Sequence, residues 1–173
     1  MRRTAVAAAA VLALAVPAAP AADPGVTPDS ILLGQVAALK GPAQALGTGM
    51  QAGIEAAFAE ANAAGGIDGR RIELRSINDG YEPDKAELAS TMLVDKVGVF
   101  ALIGGVGTPT AKAIVPICQD RQVPFIAPFT GAGFLRDVAA NDQVVNFRAS
   151  YDQEMERLAA YLVDEQGLER IAC

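Results

Sequence analysis

The segment Val99-Phe100-Ala101-Leu102-Ile103-Gly104-Gly105-Val106-Gly107-Thr108-Pro109-Thr110 constrains this chain more than any other. The apolar residues before Gly104 do not alternate with polar ones, the pattern of a strand covered on both faces by helices. Gly104, Gly105 and Gly107 then allow the backbone to approach a partner closely. Thr108 is a favoured helix N-cap and Pro109 suits the first helical position, so a helix opens here. Free amide N–H groups and hydroxyls gathered at a helix start suit a small anion such as a carboxylate. In an open α/β sheet, ligands bind at this place, beyond the carboxyl ends of the strands. The same residues also read as a glycine-rich connector with an ordinary cap, and locally both readings stand.

The neighbouring segments alternate strand and helix in the same way. Ile31–Leu39 reads as a first strand, Lys40–Gly47 as its loop, and Thr48–Ala63 as a helix with Met50, Ile54, Phe58 and Ala61 on one core-facing stripe. Gly65-Gly66 stops that helix, and Asp68-Gly69 makes a turn. Ile72–Ile77 alternates apolar and polar residues, as in a sheet-edge strand with one wet face. A helix from Pro83 to about Asp95 points Ala86, Ala89, Met92 and Leu93 inward. The helix opened by Thr108 carries Ala111, Ile114, Val115 and Cys118, with Pro116 expected to kink it or weaken its last turn. Val123–Pro128 and Val144–Arg148 read as strands, with a short helical turn around Phe134–Asp137 between them. Ser150 caps a helix from Tyr151 to about Glu165 with Met155, Leu158, Ala159 and Leu162 on one face, Gly167 ends it, and Leu168–Cys173 begins another strand. This succession predicts an α/β fold, a doubly wound parallel sheet flanked by helices on both faces.

Composition narrows the function. Arg2 and Arg3, the apolar run Thr4–Val16 and the small-x-small site Ala19-Pro20-Ala21 predict a cleaved signal peptide over residues 1–21. No cysteine stands near the cut to make a lipoprotein anchor, so the expected location is periplasmic or extracellular. Without Arg2 and Arg3, the 14 Lys+Arg fall to 12 against 20 Asp+Glu, a net charge of −8. So acidic a body argues against a nucleic-acid partner. The chain has no histidine, which removes the commonest general base and metal ligand; no catalytic residue, metal site or cofactor is expected. Cys118 reads as a buried apolar residue. Because the sequence stops inside an apparent parallel strand, the expectation is an N-terminal part of a longer protein.

The signal peptide, the loop Lys40–Gly47, the stretch Glu60-Ala61-Asn62-Ala63-Ala64-Gly65-Gly66-Ile67-Asp68-Gly69-Arg70, the Gly105-Val106-Gly107-Thr108-Pro109-Thr110 loop and the strand-loop Val123–Gly133, in this order, resemble the periplasmic binding proteins of branched-chain amino-acid ABC importers. The resemblance covers nearly the whole chain after residue 21. It implies a type I fold of two α/β lobes that close on a solute, with residues 22–148 in lobe one and 149–173 beginning lobe two. It implies an amino-acid-like, carboxylate-bearing solute delivered to ABC permease subunits. Thr108 falls on the family's carboxylate-binding hydroxyl, beside Gly107, and Phe129, Thr130 and Gly131 fall on the loop supplying further polar and backbone contacts. Leu46 falls where some relatives place a tryptophan over the ligand; it gives an apolar wall without a ring to stack. Phe129, where some relatives have alanine, narrows the pocket or offers a flat face.

Further candidates are Tyr81, in a loop after a strand and placed to reach the cleft, and Tyr151 at the lobe crossing. Asp79 reads as a helix cap or solvated residue before it reads as a ligand contact, and Arg148 as an ion-pair partner. A sensory receptor domain on the same fold is the alternative function. A nucleotide-dependent Rossmann enzyme is remote: the first strand–helix loop has Gly41 and Gly47 with Pro42 between, not G-x-G-x-x-G, and no Gly-Lys-Ser/Thr occurs.

Overall fold

The computed structural model describes residues 23–171. The expected signal peptide and Cys173 lie outside that range. Five strands form one parallel sheet: β1 (Ser30–Ala37), β2 (Arg71–Asn78), β3 (Ala101–Ile103), β4 (Phe125–Ile126) and β5 (Val144–Val145), in the order β2-β1-β3-β4-β5. The alternating strand, β2, is at an edge as its sequence predicts. In the register, Leu33 pairs Leu74 and Ala101, while Leu102 pairs Phe125 and Phe125 pairs Val144.

Among the described residues are four helices, α1 (Gln44–Ala63), α2 (Pro83–Thr91, continued by a π-helical turn over Met92–Val97), α3 (Thr108–Arg121) and α4 (Tyr151–Ala160, continued by a π-helical turn over Tyr161–Glu165), and the first three pack against the sheet. On one face Val36, Leu102 and Phe125 pack against Ala86, Ala89 and Leu93 of the α2 segment and Ala111, Ile114, Val115 and Cys118 of α3. On the other, Leu33, Ile72 and Ala101 meet Phe58 and Ala61 of α1. Each fully buried Leu, Ile or Phe contributes about 1.5–3 kcal/mol here. Cys118 is one of these core residues, and burial pushes its thiol up to about 12.

Several expectations change. Helix α1 begins four residues before Thr48, because Gly47 lacks the Cβ that would strike the Ala38 backbone and so lets the first turn sit on the end of β1. Leu46 is therefore a helix residue. Met92 is exposed, not inward: Leu93, four residues after Ala89, takes the buried position. β3 is shorter than the apolar run, and Phe100 is exposed. β4 is two residues long because Pro124 and Pro128, which lack N–H groups, bracket it. β5 stops at Val145, where the Asn146 side chain turns to donate to the Leu135 carbonyl. Helix α3 runs through Pro116 to Arg121. Residues 168–171 form no strand, and the rest of the strand expected over Leu168–Cys173 lies outside the described residues.

Candidate functional site

The carboxyl ends of β3 and β4 lead into two adjacent loops, joined by a parallel bridge between Val106 and Phe129. In the first loop Gly107, with φ 107°, caps α3 through backbone geometry alone. Thr108 is thus the first helical residue, not the N-cap expected from its type, and makes no capping hydrogen bond. Its hydroxyl instead lies 2.6 Å from that of Thr130 in the second loop. Thr110, one turn in, closes the helix start by donating to the Val106 and Gly107 carbonyls.

A third hydroxyl completes the cluster. Tyr151, the first residue of α4, places its phenol oxygen 3.3 Å from Thr130 Oγ1 while its amide donates to the Gly131 carbonyl. A Cβ on Gly131 would meet the Tyr151 ring at 2.6 Å, so glycine permits this contact. The Thr130 and Thr108 hydroxyls, with the Arg148 charge, hold the phenol below its ordinary pKa. Thr130 Oγ1 also accepts from the Ala132 amide. A hydroxyl has one proton and two lone pairs, so Thr130 can accept from only one of its two hydroxyl neighbours and must donate to the other. The neighbour that accepts keeps its own O–H proton, which it can give to the third hydroxyl or to a ligand. Thr130 is fully buried, whereas Thr108 is half-buried and Tyr151 exposed, so a ligand reaches the cluster from the Thr108 and Tyr151 side.

Beside the hydroxyls is an apolar notch of about 360 Å³ lined by Ala45, Leu46, Gly49, Met50 and Phe129. Leu46 and Phe129 thus share one wall system. The Arg148 guanidinium lies 5.3 Å from the Phe129 ring centre and 5.2 Å from that of Tyr151. It also binds Glu154 through Nε at 2.7 Å and Nη2 at 2.9 Å, a two-point pair that holds its plane against the rings. Arg136 ties the loop to the start of α4 by donating to the carbonyls of Thr130, Ala132, Arg148 and Ala149. No group of three or more His, Cys, Asp or Glu able to hold a metal occurs among the described residues.

Residues 30–173 match the periplasmic binding protein family. The chain belongs to this family. Its likeness is to the type I, Leu/Ile/Val-binding branch. It is 27% identical over 142 residues to "Leu/Ile/Val-binding protein homolog 3" of Brucella melitensis, an alignment covering 82% of this chain and 38% of the relative. Among solved structures, a possible leucine/isoleucine/valine-binding protein from Rhodopirellula baltica is 39% identical with a TM-score of 0.73, over 79% of this chain and 36% of that one. The branched-chain amino acid transporter substrate-binding protein LivJ of Streptococcus pneumoniae, solved with isoleucine, is 26% identical with a TM-score of 0.72, over 80% and 39%. The chain therefore spans about two-fifths of its relatives' length.

Within this periplasmic binding protein, Thr108, Thr130, Gly131, Tyr151 and Phe129 come together, and Leu46 joins them through the notch. Tyr81 lies against Gly107: a Cβ there would be 2.5 Å from the ring's Cε2. Thr130 and the two glycines are buried and support the site from behind. Asp79 is neither a helix cap nor solvated. It is fully buried, and α2 is capped at Glu82. Arg148 is the ion-pair partner expected, but its stacking on two site rings was not foreseen, since residues 129, 148 and 151 meet only through the fold. Met50, read as core, also lines the notch. Arg136 stands alone in a short turn, and nothing in its sequence context marks it.

Proposed function

We propose that this chain forms one jaw of an extracytoplasmic solute-binding protein, and that the solute's carboxylate seats on Thr108 and Tyr151 while its apolar part enters the notch under Leu46 and Phe129. The observation that carries the reading is the cluster of three hydroxyls, two of them accessible, beside an apolar notch. A carboxylate accepts hydroxyl donors, and the notch takes an apolar group. The relatives' names and the isoleucine bound to the pneumococcal protein support an amino-acid-like solute. Binding and closure suffice for this function, with no covalent step.

The remaining parts of the reading are the division into lobes, export and transport. All five strands precede Ser150, and α4 buries no residue, which supports lobe one over 22–148 and the start of a second lobe from 149. No helix among the described residues is long and apolar enough to cross a membrane. Export by residues 1–21 and delivery to an ABC permease complete the proposal. One jaw offers half of the contacts, so the chain alone should bind at millimolar strength or more weakly. Amide chemical shifts of the labelled chain, titrated with L-isoleucine, L-phenylalanine and their primary amides, test the site. The carboxylates should move Thr108, Thr130, Tyr151 and Phe129, and the amides should not. Equal responses to acid and amide, or none at these residues at millimolar concentration, would overturn the reading.

A further inference from the structure

Asp79 is the one carboxylate of the described chain that is both fully buried and left with an orphaned oxygen. It follows β2, and its amide donates to the Ala37 carbonyl at the end of β1, so its backbone is fixed by the sheet. Its Oδ1 accepts the Tyr81 amide at 2.8 Å, and its Oδ2 meets no donor. Burying a carboxylate this way is costly unless the bond it makes is needed.

That bond acts on a residue under strain. Tyr81 has φ 70°, a left-handed conformation that a side chain with a Cβ resists. Glycine or asparagine would suit such a turn better, yet tyrosine occupies it. The ring this conformation presents lies on Gly107, where a Cβ would sit 2.5 Å from Cε2 and 2.8 Å from Cζ. Gly107 in turn has φ 107° and precedes Thr108. The strained backbone at Tyr81 thus faces a position where only glycine leaves room for the ring. The Tyr81 side chain is only half-buried and belongs to neither apolar core cluster.

We propose that Asp79 is a positioning residue for the solute site: it holds Tyr81 in the left-handed turn so that the ring walls the cleft beside Thr108. The word "site" rests on the function proposed above; the positioning itself does not. Asp79 sets the backbone at 81, the backbone sets the ring, and the ring limits what can lie next to the α3 start. A solute branching on that side meets the Tyr81 face, so the pair sets selectivity by shape.

The test uses the full chain in three forms: wild type, Asp79→Asn and Asp79→Ala. Asn keeps an acceptor at the Oδ1 position and Ala does not. Magnetisation transfer between the Tyr81 ring protons and the Gly107 α-protons should persist in wild type and in Asp79→Asn and vanish in Asp79→Ala. Wherever L-isoleucine shifts the Thr108 amide, its affinity should fall about tenfold in Asp79→Ala and recover in Asp79→Asn. A folded Asp79→Ala chain that keeps the ring contact would overturn the proposal, as would its loss in Asp79→Asn. Should the Ala variant unfold, wild type decides: the Tyr81 amide must exchange far more slowly than an exposed amide. If L-isoleucine binds no form, the function reading fails while the ring contact still judges the positioning.

Discussion

Helices α3 and α4 both begin at the hydroxyl cluster, yet they are held there by opposite means. Helix α3 has no side-chain cap and carries Thr110, Ala111, Ile114, Val115 and Cys118 in the interior. Helix α4 has a complete capping box, with the Gln153 amide donating to Ser150 Oγ at 3.1 Å and the Ser150 amide to Gln153 Oε1 at 2.9 Å, and buries no residue at all. Packing fixes α3 so firmly that its first hydroxyl, on Thr108, is released from capping and turns to Thr130. Contacts at its first turn hold α4: the cap, the Tyr151 amide on Gly131, the Tyr151 ring and hydroxyl on the Thr130–Gly131 loop, the Arg148–Glu154 pair, and Arg136 on the Arg148 and Ala149 carbonyls. A ten-residue helix held this way is marginal in isolation. Among the described residues, the cluster therefore joins a hydroxyl on a helix packed into the core to one on a helix with no buried face.

The comparison is tested most severely by truncating one apolar residue on each helix. Ile114→Ala on α3 removes a fully buried side chain and should cost about 2–5 kcal/mol of stability. Leu158→Ala on α4, where the side chain is 46% exposed, should change stability by about 0.5 kcal/mol or less. Urea unfolding of the two variants gives both numbers. Similar losses would mean that α4 is packed against the rest of the chain and that the contrast is false.

This contrast also marks where the sequence was legible. The apolar positions of α3 and of β1 to β3 declare the sheet, its edge strand β2 and its core, because burial imposes a period that survives in one dimension. The hydroxyl of Thr108 was legible as a site residue but not as a free one, since a threonine before proline reads as a cap, and only the φ of Gly107 shows that glycine has taken that role. The apolar face of α4 has the same period as a buried one; Met155 and Leu158 nonetheless lie exposed, because periodicity says that a face exists and not what meets it. Arg148 and Asp79 were harder still. Their roles depend on partners brought in by strand order, the Phe129 and Tyr151 rings for one and the Ala37–Tyr81 corner for the other.

A smaller effect separates the two helix starts directly. Ser150→Ala removes the capping oxygen and should destabilise α4 by about 1 kcal/mol. Hydrogen exchange should report this as faster opening of amides 154–160 with no change in α3. Thr108→Ala should leave α3 protection unchanged, because there is no cap bond to lose, while abolishing the carboxylate-dependent shifts at Tyr151. Loss of protection along α3 in that variant would show that Thr108 holds the helix after all.

Acid should affect the two regions in opposite directions. Burial raises the Asp79 carboxyl above its ordinary 3.8, so as pH falls the folded state takes up that proton before the unfolded state does. The Asp79 corner is thus least stable at neutral pH and gains stability as pH falls through its raised pKa toward 3.8. Glu154 behaves inversely. The Arg148 hydrogen bond holds its carboxyl below the ordinary 4.5, so the unfolded state protonates first. Its stabilisation of the α4 start is present above 4.5 and disappears as pH falls through the lower, folded value. Because the Arg148 and Glu154 side chains are 33% and 37% exposed, water screens the pair, and this is the smallest of the effects argued here. Protection factors measured down from pH 7 should rise at the Tyr81 amide before they fall along α4, with Asp79→Asn erasing the first change and Glu154→Gln the second. If both regions lose protection together and neither variant separates them, the Asp79–Tyr81 corner and the start of α4 belong to one cooperative unit and the division between them is wrong.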